Sequence, residues 1–275
     1  MKFKLHLIAI TVFMNILFLH SAYAECKRVI SLAPSITETL FYMNLGRSVV
    51  GVTRYARWPE AVKNIPKIGG YYDINLESII NLKPDVVMLT YRQMELAKKI
   101  RKLHIKTLVL NYDSIKNIIN SIYTIGRYCD AQSNAKSAAE LLKKQIDSIM
   151  KKYKNGNHHK ILICFGYPGI SPIVAAGNKS IYGDIIKIIG AQNVYQGSLA
   201  WPTIPLSNII KFNPYAIFVL GNPKTGSKSI LKWNQLPLDA AKNHRIYLLS
   251  RNIYLVPSPR IVQVMKNIAK LLYKK

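Results

Sequence analysis

Apolar residues recur along the chain in two alternating patterns, one at helical spacing and one in short continuous runs. In residues 71–87, a stripe of leucine and isoleucine at helical spacing ends before Pro84, and the apolar run 86–89 follows directly. Continuous runs of this length are typical of parallel strands that helices cover on both faces. The pattern therefore predicts an α/β fold built on parallel sheet.

The same unit occurs a second time, 130 positions farther along the chain. In residues 201–217 the helical stripe recurs, Pro214 ends it, and the apolar run Ala216–Leu220 follows. Further pairs match on either side: opening strands at 28–32 and 160–164, capped helices closed by glycine at 35–46 and 180–190, and later strands at 104–110 and 244–249. Four matches in one order indicate two related lobes.

The segment between the two units is itself regular. Residues 131–154 contain neither Gly nor Pro and have one apolar stripe, which predicts a single helix of some 22 residues, roughly 33 Å long. The predicted fold class is therefore α/β, with two Rossmann-like lobes, each built on a central parallel sheet, joined by one long α-helix. The predicted domains are a signal peptide at 1–24, an N-terminal lobe at 25–130, the linking helix at 131–154 and a C-terminal lobe at 155–275.

The first 24 residues have the layout of a secretory signal peptide. Two lysines precede a mostly apolar run at 5–19, and a small-x-small cleavage site ends at Ala24. The run is short for a membrane span. Because Glu25 stands where a lipoprotein signal needs a small residue before Cys26, we expect a soluble protein that is exported to the periplasm after cleavage behind Ala24. An uncleaved membrane anchor is the alternative.

Composition makes charge the unusual property of this chain. Its 39 Lys and Arg against 13 Asp and Glu give a formal net charge of +26, while 49% hydrophobic residues exclude a disordered protein. The lysines are scattered and no nucleic-acid-binding motif occurs, so we expect no nucleic-acid partner. A positive field would speed the capture of anionic ligands and would hold the protein weakly near anionic lipid head groups.

The three cysteines exclude a disulfide-rich scaffold. Cys26 begins the first predicted strand and Cys129 precedes the long helix, so the two could form a disulfide in an oxidising compartment or remain free thiols. Cys164 falls inside a predicted strand and is expected to be a buried, small apolar residue.

Aromatic residues follow the predicted strands where a ligand would bind. Tyr71 and Trp201 occupy equivalent positions of the two units, and Tyr55, Tyr91 and Phe165 lie in neighbouring loops, with arginines beside two of them. Ligands of open α/β sheets bind beyond the carboxyl ends of the strands. Such a lining suits a large, flat ligand with polar edges, since rings supply contact area and arginine supplies orientation and charge.

Five motifs resemble those of the periplasmic binding proteins for cobalamin and ferric siderophores, the ligand receptors of ABC importers. They are R-V-I-S-L-A-P-S-I-T-E at 28–38, N-L-E-x-I at 75–79, K-P-D-V-V at 83–87, W-P at 201–202 and S-P-R-I at 258–261. The resemblance covers essentially the whole chain after residue 24 and is greatest to the cobalamin-binding members. It implies that Tyr55, Tyr71, Phe165 and Trp201 line the ligand cleft and that Arg260 lies near it.

The resemblance also implies a partner. Glu77 matches the first of two surface glutamates with which the family docks onto its permease, whereas the second position is Ser207. The implied function is a monomeric receptor that binds cobalamin or a related corrinoid between the lobes and delivers it to an inner-membrane permease. A ferric siderophore or haem is the alternative ligand. We expect no bond chemistry, no cofactor and no bound metal ion.

Two other function classes have weaker support. An exported serine hydrolase would explain K-T-G at 224–226 and three S-x-x-K matches, but such matches are expected by chance among 39 basic residues, and there is no G-x-S-x-G. A site for a bare metal ion would need converging ligands, and the four histidines after residue 24 lie in loops or before strands.

Overall fold

The computed structural model describes residues 26–274, except for residues 72, 170 and 222 and the side chains of 223–225 and 227. The predicted signal peptide lies outside the described residues. The remainder of the chain forms two α/β lobes, each with a sheet of largely parallel strands, so the predicted fold class is confirmed.

The N-terminal lobe contains a four-stranded parallel sheet in the order β2-β1-β3-β4. Its strands are β1 (Val29–Ser31), β2 (Val49–Val52), β3 (Val86–Thr90) and β4 (Thr107–Leu110). Its helices are α1 (Pro34–Tyr42), α2 (Leu76–Asn81), α3 (Met94–Lys102) and α4 (Ile115–Tyr128), with short 3₁₀ turns at Gly46–Ser48, Glu60–Asn64 and Tyr91–Gln93.

A 22-residue helix, α5 (Gln132–Tyr153), connects this lobe to the second and confirms the predicted long helix. The C-terminal sheet has the order β6-β5-β8-β9, with β7 also beside β5, and only β6 runs antiparallel. Its strands are β5 (Lys160–Phe165), β6 (Val174–Ala175), β7 (Gln192–Asn193), β8 (Ala216–Leu220) and β9 (Ile246–Leu249). Its helices are α6 (Ile181–Ile188), α7 (Leu206–Phe212), α8 (Pro223–Asn234), α9 (Asp239–Lys242) and α10 (Ile261–Leu272), with a 3₁₀ turn at Asn252–Leu255.

The continuous apolar runs are buried on both faces of each sheet. In β3, Val86 and Met88 pack into one apolar cluster while Val87 and Leu89 pack into another on the opposite face. The strands of the C-terminal sheet divide their residues between two clusters in the same way. Successive side chains of a strand point to opposite faces, so a strand that helices cover on both sides needs apolar residues at every position.

Three of the four repeated helices end as their sequences predict. Both Lys83 and Asn213, the equivalent residues before the two prolines, have a positive φ, 44° and 42°. Gly190, with φ +70°, follows α6 as predicted, but the predicted closure of α1 by Gly46 is wrong. That helix ends four residues earlier, at Tyr42, and the turn uses Asn44 with φ 60°. Asparagine tolerates this left-handed conformation better than most residues, so glycine is not required there.

One apolar cluster runs through both lobes by way of α5. It joins residues such as Leu40 in the first lobe, Ala139 and Leu142 on α5, and Ile163 and Met265 in the second. A disulfide between Cys26 and Cys129 closes the first lobe where β1 begins and α4 ends, which decides the alternative that the sequence left open. Cys164 is fully buried and free, as predicted. Within the described part of the chain, no helix has the length and apolar character of a membrane span.

Candidate ligand cleft

A cavity of about 240 Å³ lies between the two lobes, beyond the carboxyl ends of the parallel strands. The N-terminal lobe contributes Arg92, Tyr112 and Asp113, which follow β3 and β4. The C-terminal lobe contributes mainly apolar and aromatic side chains, among them Phe165, Ile181, Tyr182, Trp201, Tyr254, Val256 and Ile261. The cleft therefore has a polar wall and an aromatic wall.

Three rings form the aromatic wall. The ring of Trp201 lies 5.7 Å from that of Phe165 and 5.9 Å, edge to face, from that of Tyr182. Phe165 is the last residue of β5, and the neighbours of Trp201 are fixed because Ala200 and Pro202 accept backbone hydrogen bonds from Gly177 and Ala175. Phe165 and Trp201 are each 37% exposed, so both present ring surface to a ligand.

Tyr182 supports this wall from beneath. Its side chain is buried, burial raises the pKa of its phenol, and its hydroxyl donates a hydrogen bond to the backbone carbonyl of Tyr254. It is therefore a neutral hydrogen-bond donor that is committed within the protein, and its ring stiffens the position of Trp201.

The polar wall includes Arg92 and Asp113, and Tyr91 contacts both of them without lining the cavity itself. The Arg92 Nη2 lies 3.1 Å from Asp113 Oδ1, the Tyr91 hydroxyl donates to the other carboxylate oxygen, and the guanidinium lies 5.1 Å from the Tyr91 ring centre. Burial and the hydrogen bond to Asp113 raise the pKa of Tyr91. The tyrosine is therefore a neutral phenol at physiological pH, beside an arginine that is charge-compensated in the ligand-free protein.

Tyr71 lines a second cavity, of about 290 Å³, on the N-terminal lobe. Neither cavity contains both Tyr71 and Trp201, but Arg92 lines both cavities. The structure therefore brings Phe165 and Trp201 together and places Tyr71 in a different cavity that shares Arg92 with theirs.

Three of the predicted cleft residues, Tyr55, Tyr91 and Arg260, line neither cavity. Tyr55 is 48% exposed and lies beside Gly70, next to the ion pair between Arg54 and Asp73. Arg260 is largely buried in an ion pair with Glu38 of the other lobe, and its guanidinium lies 4.4 Å from the ring centre of Trp58. Both oxygens of the Glu38 carboxylate are occupied by Arg260, so this arginine is positioned to hold the lobes together.

Glu77 and Ser207 lie at equivalent, exposed places. Each is in the first turn of its short helix, α2 or α7, and Asn75 caps the former by accepting a hydrogen bond from the Ser78 amide. Asp184, an acidic residue of the C-terminal lobe, accepts a hydrogen bond from the Ile115 amide of the N-terminal lobe. Its carboxylate is thus committed to the lobe interface.

No group of three or more His, Cys, Asp or Glu side chains that could hold a metal ion occurs among the residues that the structure describes. Asp113, Tyr112 and Tyr182 also line the cleft but were not predicted from the sequence. Tyr112 and Asp113 lie two and three residues after β4, so the rule that ligands bind beyond the carboxyl ends of parallel strands would have found them. Tyr182 lies inside a helix and gives no such signal.

Comparison with known proteins places the chain among receptors of importers. A model of the family described as periplasmic binding protein matches residues 29–252. The chain is 28% identical over 251 residues to the vitamin B12-binding protein of Vibrio vulnificus, which covers 90% of each chain. It is also 28% identical over 258 residues to an ABC transporter substrate-binding lipoprotein of Bacillus subtilis, with 90% of this chain and 81% of that protein covered.

Solved structures have the same fold. A Staphylococcus aureus protein, IsdE complexed with heme, superposes with a TM-score of 0.77 at 27% identity, over 91% of this chain and all of that one. The periplasmic vitamin B12-binding protein of Vibrio cholerae superposes with a TM-score of 0.75 at 20% identity, over 90% of this chain and 97% of that one.

Proposed function

We propose, from the premise that this chain belongs to the periplasmic binding protein family, that it binds cobalamin or a related corrinoid between its lobes. The family comprises substrate-binding proteins of ABC importers for vitamin B12, siderophores and haem, and relatives from Vibrio are named for vitamin B12. We further propose that the protein is a monomer that performs no bond chemistry.

One observation supports the proposal above the others: an aromatic wall faces a polar wall across the cleft. The rings of Phe165 and Trp201 offer contact area to a flat macrocycle, while Arg92 offers hydrogen-bond donors to its polar rim. A macrocycle with side chains of amide or acid character needs both surfaces at once. Tyr71 would then contact the part of the ligand that extends beyond Arg92.

We infer that a movement of Arg92 enlarges the cleft when a ligand binds. Each of the two cavities is below the roughly 300 Å³ at which ligand pockets begin. The Arg92 side chain, which lines both cavities, is 56% exposed and pairs with an Asp113 that is 42% exposed, so the pair costs little to rearrange. Reorientation of this one side chain would join the cavities.

Haem is the second candidate, and a specific feature favours it. Arg92 is a cation at the centre of the joined cleft, which suits a macrocycle with carboxylate groups, and the heme-bound relative is 27% identical. A ferric siderophore would use the same lining. Each ligand has a distinct visible absorption, so titration of the purified protein with cyanocobalamin, haemin and ferric siderophores distinguishes them. Saturable binding of cyanocobalamin alone supports the corrinoid, and binding of haemin alone replaces it.

We also propose that the protein is exported to the periplasm, with cleavage behind Ala24, and that it delivers its ligand to an inner-membrane permease. The relatives are periplasmic or lipoprotein receptors, which supports export. Glu77 is exposed on the first turn of α2, where a permease could reach it. Intact-mass measurement of the protein from the periplasmic fraction tests the cleavage site directly.

A further inference from the structure

A further concave surface lies on the C-terminal lobe between the end of α5 and α10. This depression, of about 730 Å³, is lined by four lysines, Lys152, Lys266, Lys270 and Lys274, with Tyr153 and Tyr273 at its base. No carboxylate is among the described residues that line it. We refer to it as the basic groove.

A neighbouring depression on α5 shows that unbalanced positive charge is not a general property of this surface. There, Lys143, Lys144 and Lys151 are accompanied by Glu140 and Asp147, so the positive charge is largely balanced locally. In the basic groove it is not. Lys266 and Lys270 are moreover one helical turn apart on α10, an arrangement of like charges that destabilises a helix.

The tyrosines of the groove are already engaged within the protein. Tyr153 and Tyr273 stack on each other with ring centres 5.1 Å apart, Lys152 lies 5.5 Å from the Tyr153 ring centre, and the Tyr273 hydroxyl donates to the Ile189 carbonyl at 2.8 Å. A groove that binds single-stranded nucleic acid needs free ring faces on which the bases can stack. The groove instead offers flexible ammonium groups on long stems, which suit phosphate anions.

The groove is remote from the ligand cleft. His159, which precedes β5, packs against Tyr273 and stacks on Tyr215 at the start of β8, so this face lies at the amino ends of the C-terminal strands. The cleft lies at their carboxyl ends, and the six residues of β5 separate the two by roughly 20 Å. A partner in the groove therefore leaves the cleft open.

We propose that the basic groove binds the phosphate head groups of an anionic phospholipid bilayer. The proposal is based on charge complementarity. The groove is concave, every charged side chain among its described lining residues is a lysine, and the chain has a formal charge of +26. Each lysine close to such a surface strengthens binding about fivefold, and the attraction decreases within a Debye length of about 10 Å at moderate salt. The contact is therefore reversible and sensitive to salt.

Co-sedimentation of the protein without residues 1–24 with phospholipid vesicles tests this proposal. Vesicles that contain about one-third phosphatidylglycerol should bind the protein at low salt, and vesicles of pure phosphatidylcholine should not. The double substitution K266Q/K270Q should weaken binding at least tenfold. The matched control K102Q/K106Q removes the same charge from exposed lysines of the N-terminal lobe and should change binding less than about threefold.

Three outcomes would overturn the proposal. Equal binding to both kinds of vesicle would show that anionic head groups are not recognised, and equal losses in the two variants would show that net charge alone attracts the protein. Full displacement by millimolar inorganic phosphate at constant ionic strength would identify a soluble anion as the partner. Circular dichroism of both variants establishes that a loss reflects binding rather than unfolding, because both substitutions replace exposed side chains.

Discussion

Glu38 and Arg260 lie 222 residues apart in the chain and form a two-pronged ion pair between the lobes, with Nη2 to Oε1 at 2.6 Å and Nε to Oε2 at 2.9 Å. The Glu38 side chain is 2% exposed and that of Arg260 13%. Ser258 also donates a hydrogen bond to the same carboxylate. Together with the hydrogen bond from Ile115 to Asp184, this pair fixes one lobe against the other and restricts opening of the cleft to small movements.

Removal of one member of this pair should destabilise the protein strongly. In E38Q the arginine remains buried without its counter-charge, and loss of one partner of a buried pair costs about 3 kcal/mol or more of the free energy of unfolding. Urea denaturation measures the change. The matched control is E60Q, which breaks an exposed pair between Glu60 and Lys63 and should have only a small effect. Equal effects of E38Q and E60Q would show that the buried pair is not required.

The disulfide should stabilise the first lobe through the unfolded chain. The bridge between Cys26 and Cys129 spans 103 residues, and a loop of that length predicts a contribution of about 4.7 kcal/mol to the free energy of unfolding. C26S/C129S should show this loss in urea denaturation. A reducing agent should lower the free energy of unfolding of the wild type to that of the variant and leave the variant unchanged. An unaffected wild type would contradict the role of the bridge.

The aromatic wall should provide much of the ligand affinity. Truncation of a central aromatic residue in a binding site commonly costs about 2 kcal/mol of binding free energy. W201A should therefore bind the ligand identified by titration at least tenfold more weakly, as measured by isothermal calorimetry. L231A removes a 65% exposed side chain outside the cleft and should bind normally. Wild-type affinity in W201A would contradict the proposal that the ligand binds in this cleft.

Docking onto the permease should depend on Glu77 without affecting ligand affinity. E77R reverses the charge of an exposed side chain on α2 that lines neither cavity. We expect wild-type affinity in calorimetry but loss of ligand uptake by cells, because a permease surface complementary to a carboxylate would repel the arginine. E140R makes the same charge change on an exposed position of α5 and should leave uptake normal. Normal uptake with E77R would exclude the docking role.

His159 should make the stability of the second lobe dependent on pH. Burial and the charge of Arg245 lower the pKa of its imidazole, which stacks on Tyr215 at 3.6 Å between ring centres. Since the unfolded chain then binds the proton more readily than the folded protein, stability should decrease as pH falls below the ordinary value near 6.5. Urea denaturation at pH 7.5 and pH 5 should show a larger loss for the wild type than for H159Q. The same pH dependence in both proteins would contradict this.

The repeat was the most informative signal in the sequence. Two proline-terminated helices, each followed by a continuous apolar run, predicted parallel strands, and the residues before those prolines have the same left-handed backbone in both lobes. These features are local: they depend on spacing and on the steric limits of a few neighbouring residues, which a single sequence displays. The misplaced end of α1 is of the same kind, because an asparagine can make a turn for which glycine was expected.

The sequence by itself therefore determined the class of fold, the two related lobes and the long helix between them, because periodic burial leaves a periodic pattern. It also indicated Phe165 and Trp201, which end a strand and precede a helix. Only the tertiary structure decided that the ring of Trp201 meets Tyr182, that Arg92 lines two cavities, and that Arg260 holds Glu38. Those contacts join residues from different elements, and their geometry depends on how the lobes pack, which no spacing along the chain records.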